Sequence, residues 1–403
     1  MTAIAHGLEG IVLTETRLSM VDGQAGRLVI GGFPVEVLAP RASYEETLFL
    51  LWHDRLPTAS ERAELRAGLA EAGRLPPQTV ELLRAAAERE LPPMDALRMG
   101  LATLGLDDRD VNAVELQAAS PADNRRRAIA VTGAVPAIIG AFQRLRAGLP
   151  PVSPDPSLGH AANYLRMLFG EAPSPARARA LDTYLNATVD HGMNASTFTA
   201  RVIASTRSDM ASAVLGAVGA LKGPLHGGAP GPALEMVFEL RARAERTGEP
   251  LVALAEAHVR EVVGRGGRIM GFGHRVYRVR DPRADVLGEA LHQLFPARGQ
   301  NPLVDDARVV ERVVLRTLAE LKPHRALATN VEFYTALLLH ALELPPAVFT
   351  PTFAVARVGG WAAHVLEQAR EDRLIRPRAA YVGPIERAWV PVDERGSGLV
   401  AKA

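Results

Sequence analysis

Beyond residue 31 the chain carries no run of β-branched residues alternating with helical patterning in the way a parallel sheet requires, and this limits the fold more than any other feature. What patterning exists has the helical period. Ser43 with Glu46 and Thr58 with Glu61 each form a capping box, the first ahead of TLFLLW and the second ahead of apolar Leu65, Leu69 and Ala72. Residues 157–169, 177–189 and 212–221 continue the same period. Only residues 16–31, which alternate around Asp22-Gly23 and Gly26, predict a small β-hairpin. The expected fold class is therefore all-α with a short N-terminal hairpin, and a Rossmann-type sheet is excluded.

A chain of 403 residues exceeds the size of about 250–300 residues at which single cores stop growing, so two lobes are expected. The Gly/Pro-rich stretch 223–232 and the Pro345-Pro346 pair are the hinge candidates. They divide the chain into a large helical lobe, residues 1–227 and 344–403, and a small helical lobe, residues 228–343. The segment after Pro377, with WVPV from Trp389, reads as an arm lying on a neighbour.

Several function classes fall away on composition. With 46 basic against 45 acidic residues, interspersed to a net charge of +1, no polybasic stripe suggests nucleic acid. The absence of cysteine removes disulfides, thiolate metal sites and thiol nucleophiles. The opening MTAIAHGLEG lacks the basic and apolar regions of a signal peptide. The longest apolar run, residues 128–142, includes Gly133 and Pro136 and is too short to span a bilayer comfortably. It reads as a buried core helix, so we expect a cytoplasmic protein without membrane contact.

Chemistry concentrates in a few segments. Residues 269–283, IMGFGHRVYRVRDPR, place His274 beside Gly271 and Gly273, followed by Arg275, Arg278, Arg280 and Arg283. The glycines let the backbone approach a ligand closely, and the guanidinium forks suit carboxylate or phosphate oxygens. Two further histidines sit among small residues: His226 in GPLHGG and His191 in DHGMNAST. A neutral imidazole so presented can donate to a developing oxyanion. Asn330 is a natural N-cap with Glu332 in the first turn behind it, a pairing that the helix dipole favours with or without a catalytic role. Arg357 interrupts the apolar stripe of residues 350–368 and needs an anionic partner if buried, whether a protein carboxylate or a substrate. A three-histidine zinc site is disfavoured because no two of His191, His226 and His274 have helical ligand spacing. Three imidazoles, a carboxylate and several arginines suit proton abstraction beside a carbonyl, followed by attack on a second carbonyl that bears carboxylates.

These motifs carry a family resemblance. GLEGIVLTETRLSMVDGQAGRLVIGG, DHGMNASTFTARV, LKGPLHGGA, IMGFGHRVYRVRDPRA, NVEFY, FAVARVGGWAAHVLEQ and RLIRPRAAYVGP occur in order, and over nearly its whole length the chain resembles citrate synthase. The resemblance implies an almost wholly helical fold, two lobes that close on oxaloacetate and acetyl-CoA, and a homodimer. It implies that His226 hydrogen-bonds the thioester oxygen, that His274 protonates the oxaloacetate carbonyl oxygen, and that Glu332 removes the α-proton. Arg283 and Arg357, joined by Arg376 across the dimer interface, would hold the oxaloacetate carboxylates with help from His191. Met270, Gly271, Phe272 and Gly273 would meet the coenzyme A adenine. No cofactor or metal is implied, acetyl-CoA being a substrate. With Arg283 and Arg357 on opposite sides of the hinge, oxaloacetate is the expected trigger of closure.

The chain departs from the family in one place: Glu332 stands where most members have aspartate. Glutamate keeps the functional group but adds a methylene, so the backbone around it has to compensate. Two alternatives accompany the main reading, a 2-methylcitrate synthase that uses propionyl-CoA and a non-catalytic citrate- or CoA-binding paralogue.

Overall fold

A computed structural model describes residues 4–8, 10–106, 112–113, 115–227, 230–273, 277–297, 299–325 and 327–395. The expected hairpin is present. Asp22 Oδ1 accepts from the amides of Gln24 and Ala25 at 3.0 and 2.9 Å, closing the turn. β1 (Ser19–Asp22) then pairs antiparallel with β2 (Arg27–Ile30) in the register Ser19 to Ile30, and β3 (Phe33–Pro34) extends the sheet. Leu28 and Ile30 alternate inward and anchor the sheet on the helical core.

Helices make up the remainder, as the periodicity requires. In chain order they are α1 (Val35–Leu38), α2 (Tyr44–His53), α3 (Ala59–Ala72), α4 (Pro77–Glu88), α5 (Pro93–Leu101), α6 (Pro121–Arg146), α7 (His160–Phe169) and α8 (Pro175–Thr188). There follow α9 (Ala195–Ser205), α10 (Met210–Leu221), α11 (Pro230–Thr247), α12 (Leu251–Gly264), α13 (Pro282–Leu294), α14 (Pro302–Leu321), α15 (Val331–Ala341) and α16 (Phe349–Glu371). Both capping boxes form, at Ser43 with Glu46 and at Thr58 with Glu61. The apolar run 128–142 lies within α6, whose inner face is buried against α3, α4, α5 and α16.

One helix starts later than its period suggests. Ser157 is drawn into a turn in which its amide and hydroxyl both donate to Asp155 Oδ1, at 2.9 and 2.7 Å. α7 therefore begins at His160, whose amide donates to Glu45 Oε1 at 2.9 Å. A carboxylate from α2, distant in sequence, does the work of a local cap.

α16 organises the large helical layer because it approaches its neighbours without side-chain clearance. A Cβ at Gly360 would lie 2.1 Å from Val189 O, so any larger residue there would push α16 off the backbone that carries Asp190 and His191. A buried polar chain secures the same contact. His364 Nε2 meets Asp190 Oδ1 at 3.1 Å, and Ser19 donates to Asp190 Oδ2 at 2.5 Å. Arg201 of α9 donates to Gln368 and Glu367 and sits 3.1 Å from His364 Nδ1. Because arginine only donates, His364 Nδ1 must accept, which leaves the ring proton on Nε2 facing Asp190. Within residues 230–343, α12 packs on α14 and α13 on α15, and α13 also packs against α8 outside that range. The segments singled out in the sequence thus approach one another around α13, α15 and α16.

Candidate active site

The glycine-rich segment and the start of α15, which carries Glu332, are joined by a short antiparallel ladder. Gly273 N donates to Ala328 O at 2.8 Å, Asn330 N donates to Gly271 O at 3.0 Å, and Phe272 bridges Thr329 between them. Gly271 has φ +86°, and a Cβ there would lie 3.1 Å from Phe333 Cβ, so glycine is what allows the strands this close. Gly271→Ala is expected to cost about 1–2 kcal/mol in stability, which thermal unfolding checks.

Asn330 caps α15 as its sequence suggests: Oδ1 accepts from Glu332 N at 3.1 Å while Nδ2 donates to Gly273 O at 2.8 Å. Glu332 is thereby aimed from the first turn. Its Oε2 is buried and, among the described residues, makes no hydrogen bond. Burial raises the carboxyl pKa, and the Arg283 guanidinium only partly offsets this. A carboxylate held this way is a stronger base than one in water.

Arg283 is buried and donates through Nε and Nη2 to the two oxygens of Asp281, at 3.0 and 2.7 Å. Asp281 also caps α13, accepting from Arg283 N at 3.0 Å. Arg357 differs. It is equally buried, its Nε donates to Thr188 O at 2.7 Å, and its guanidinium lies 4.7 Å over the Phe353 ring. No carboxylate among the described residues lies within ion-pairing distance of it. Burial pulls its pKa down to about 10, with Asp190 opposing and the like charge of Arg283 adding to the fall. Two buried guanidinium groups that repel each other, one lacking a counter-ion, form a site suited to an anion.

His226 follows α10 in the turn of residues 222–227, where Thr350 of α16 donates to Gly227 O at 2.8 Å. Burial, with Arg357 adding, brings its pKa down to about 4, so the ring is neutral near pH 7. Its Nε2 lies 2.8 Å from Ser196 Oγ, which also contacts Asn194 Oδ1 at 2.8 Å and Trp361 Nε1 at 3.1 Å. Asn194 Oδ1 only accepts and Trp361 only donates, so the two acceptors compete for one serine proton. When Ser196 gives it to Asn194, the imidazole proton sits on Nε2. When Ser196 turns it to Nε2, the imidazole proton sits on Nδ1 and is available to a ligand oxygen.

His191 Nε2 contacts Tyr277 OH at 3.1 Å, edge-on to the ring. His274 lies outside the described residues. Arg376 is exposed in the segment after α16, next to Ile375, whose amide donates to Ser205 Oγ of α9 at 3.1 Å. The same segment exposes Tyr381, Val382, Ile385 and Trp389. Gly271, Phe272 and Gly273 form the ladder described above, Met270 lies exposed just before it, and a cleft of about 700 Å³ opens beside Phe272 and Gly273. Arg268, Arg278, Lys322, His324 and Arg325 also line it. The sequence reading missed Lys322, His324 and Arg325, although a Lys-Pro-His-Arg cluster at a helix end is a readable signal for phosphate oxygens.

Electrostatic coupling joins these parts into one neighbourhood: Arg283 acts on both Glu332 and Arg357, and Arg357 acts on His226.

Comparison with known proteins gives a consistent result. Residues 7–378 match the family described as citrate synthase, C-terminal domain. The citrate synthase of Haloferax volcanii is 40% identical, over 97% of this chain and 99% of that protein. The 2-methylcitrate synthase of Mycobacterium tuberculosis is 38% identical, over 95% of this chain and 92% of that one. Among solved structures, the ternary complex of carboxymethyl coenzyme A and oxaloacetate with citrate synthase from Thermoplasma acidophilum superposes with a TM-score of 0.85. It is 30% identical, over 98% of this chain and 100% of that one.

Proposed function

The chain belongs to the citrate synthase family of acyltransferases, and from that premise we propose that it condenses acetyl-CoA with oxaloacetate and water to give citrate and CoA. The observation that carries this reading is the buried Oε2 of Glu332, which is without a hydrogen-bond partner among the described residues. Glu332 takes a proton from the thioester methyl group. Charge then moves to the thioester oxygen, where His226 donates through Nδ1, the tautomer selected once Ser196 turns its proton to Nε2. The enolate carbon attacks the ketone carbon of oxaloacetate, whose oxygen takes a proton from His274. Water then hydrolyses the citryl thioester.

Oxaloacetate supplies the negative charge that Arg357 lacks. Arg283, held by Asp281 through Nε and Nη2, keeps Nη1 for the same ligand, and His191 flanks it. Arg376 of the partner subunit completes the pocket in a homodimer, and the exposed Tyr381, Val382, Ile385 and Trp389 suit an arm laid over that neighbour. The cations around the 700 Å³ cleft suit the CoA phosphates, with Met270 to Gly273 along the adenine.

Propionyl-CoA is the second reading, favoured by the nearly equal identity to the mycobacterial 2-methylcitrate synthase. One methylene discriminates by about 1–3 kcal/mol, or roughly 10- to 200-fold. Thiol release with oxaloacetate, measured as kcat/KM for both thioesters, is expected to favour acetyl-CoA by at least about tenfold. A reversed preference would transfer the assignment to 2-methylcitrate synthesis. No thiol release with either thioester would leave only a binding protein.

A further inference from the structure

Among the described residues Oε2 of Glu332 makes no hydrogen bond, so the side chain's position follows from the backbone that carries it. What holds that backbone is therefore part of how the base works. The Asn330 cap fixes the helix end to the glycine segment, but its hydrogen bonds stop at Gly273, short of the arginine-bearing residues 278–283 ahead of α13. One side chain reaches both. Glu311 of α14 is buried and accepts three hydrogen bonds: from Thr329 Oγ1 at 2.6 Å, from Tyr334 OH at 2.6 Å and from Arg280 Nη1 at 3.0 Å. Thr329 precedes the Asn330 cap, Tyr334 lies in the first two turns of α15, and Arg280 precedes the Asp281–Arg283 pair. The Arg280 guanidinium also lies over the Tyr334 ring at 5.8 Å, which closes the triangle.

We infer that Glu311 is a positioning residue for the condensation, a clamp that sets the distance between the Glu332 carboxylate and the arginine loop. The inference rests on the proposed role of Glu332. A carboxylate is suited to the task because it accepts from three donors at once and itself offers no proton to misdirect. Arg280 is further paired with Asp285 at 2.5 Å, so Glu311 is not needed merely to neutralise it. Removing the clamp takes away the acceptor of the Thr329 and Tyr334 hydroxyls and one carboxylate partner of Arg280, which unties the α15 end from the arginine loop.

Misplacement of a reacting group by about 1 Å costs on the order of 10²-fold in rate. Glu311→Ala is therefore expected to lower kcat about 10²-fold, with the acyl-CoA KM within about threefold of wild type. Glu311→Gln keeps the shape, can still accept from Thr329 and Arg280 through its one carbonyl oxygen and can donate its amide to the Tyr334 hydroxyl oxygen, and is expected to stay within about fivefold of wild type. The deciding measurement is a double-mutant cycle with Glu332→Gln. If Glu311 acts through Glu332, adding Glu311→Ala to Glu332→Gln lowers kcat by no more than about threefold. Losses that multiply would make Glu311 an ordinary core ion pair and overturn the clamp. A fully active Glu332→Gln alone would overturn the base assignment and the clamp with it. Should Glu311→Ala not fold, Thr329→Val and Tyr334→Phe each delete one of the hydrogen bonds, with about tenfold loss of kcat expected for each. Full activity in both would also overturn the proposal.

Discussion

Glu332→Gln is expected to lower kcat by about 10²- to 10⁴-fold, the range that a positioned general base contributes, while KM for both substrates changes little. The amide matches the carboxylate in shape and cannot accept the methyl proton, so a loss confined to kcat isolates proton abstraction. Glu332→Asp should also lose on the order of 10²-fold, because the shorter side chain withdraws the base by about 1 Å from a backbone arranged for glutamate. Stability should move the other way. Burial raises the Glu332 pKa above its ordinary value near 4.5, with Arg283 only partly opposing. A raised folded-state pKa favours the protonated fold, so the stability it contributes is complete at low pH and is lost as pH rises through the folded-state value. Glutamine carries no such penalty. The variant should therefore melt a few degrees above wild type at about pH 8 and together with it at about pH 4. In wild type, the acid limb of kcat/KM should lie above the usual carboxylate range. His226, with a pKa of about 4, adds no break near neutrality. A Gln variant that turned over at the wild-type rate would remove Glu332 from the mechanism.

Which parts of this arrangement could be read from the chain follows from how far apart the cooperating residues lie. The hairpin turn at Asp22, the capping boxes at Ser43 and Thr58 and the Asn330 cap all join groups within a few residues, where spacing determines geometry. Arg283 and Asp281 are two residues apart, yet the sequence reading assigned Arg283 wholly to a ligand, because it treated the arginines of RVRDPR as equivalent donors. The structure separates them: Arg280 is committed to Glu311 and Asp285, and Arg283 is pinned to Asp281 by two of its donors. The α7 start was misjudged for a related reason, since Ser157 is a competent local cap but Asp155 captures it and Glu45, from α2, takes over. Glu311 gave no signal at all. It is 18 residues from Thr329 and 31 from Arg280, on a strongly amphipathic helix whose many charged residues look alike until one is buried.

Replacing Arg357 is expected to separate binding from stability in the opposite sense to an ordinary core substitution. Among the described residues Arg357 is a buried cation with a backbone hydrogen bond to Thr188 O, an aromatic face, no carboxylate within ion-pairing distance, the longer-range attraction of Asp190 and the like charge of Arg283. Removing one partner of a buried hydrogen-bonded charge pair costs about 2–5 kcal/mol, roughly 30- to 5000-fold in binding or in kcat/KM. Arg357→Met should therefore lose that much in kcat/KM for oxaloacetate. Arg357→Lys should not restore it, because a point charge cannot reproduce a planar fork. In the absence of ligand, the methionine variant should melt no lower than wild type, since the desolvation cost of an unpaired guanidinium disappears and offsets the lost bond to Thr188. Saturating oxaloacetate should raise the wild-type Tm by mass action and leave that of Arg357→Met almost unmoved. The carboxylate that Arg357 lacks would then be the substrate's. If the methionine variant instead kept the wild-type thermal shift with oxaloacetate, the anion would bind elsewhere, and the unpaired cation on α16 would need a different occupant.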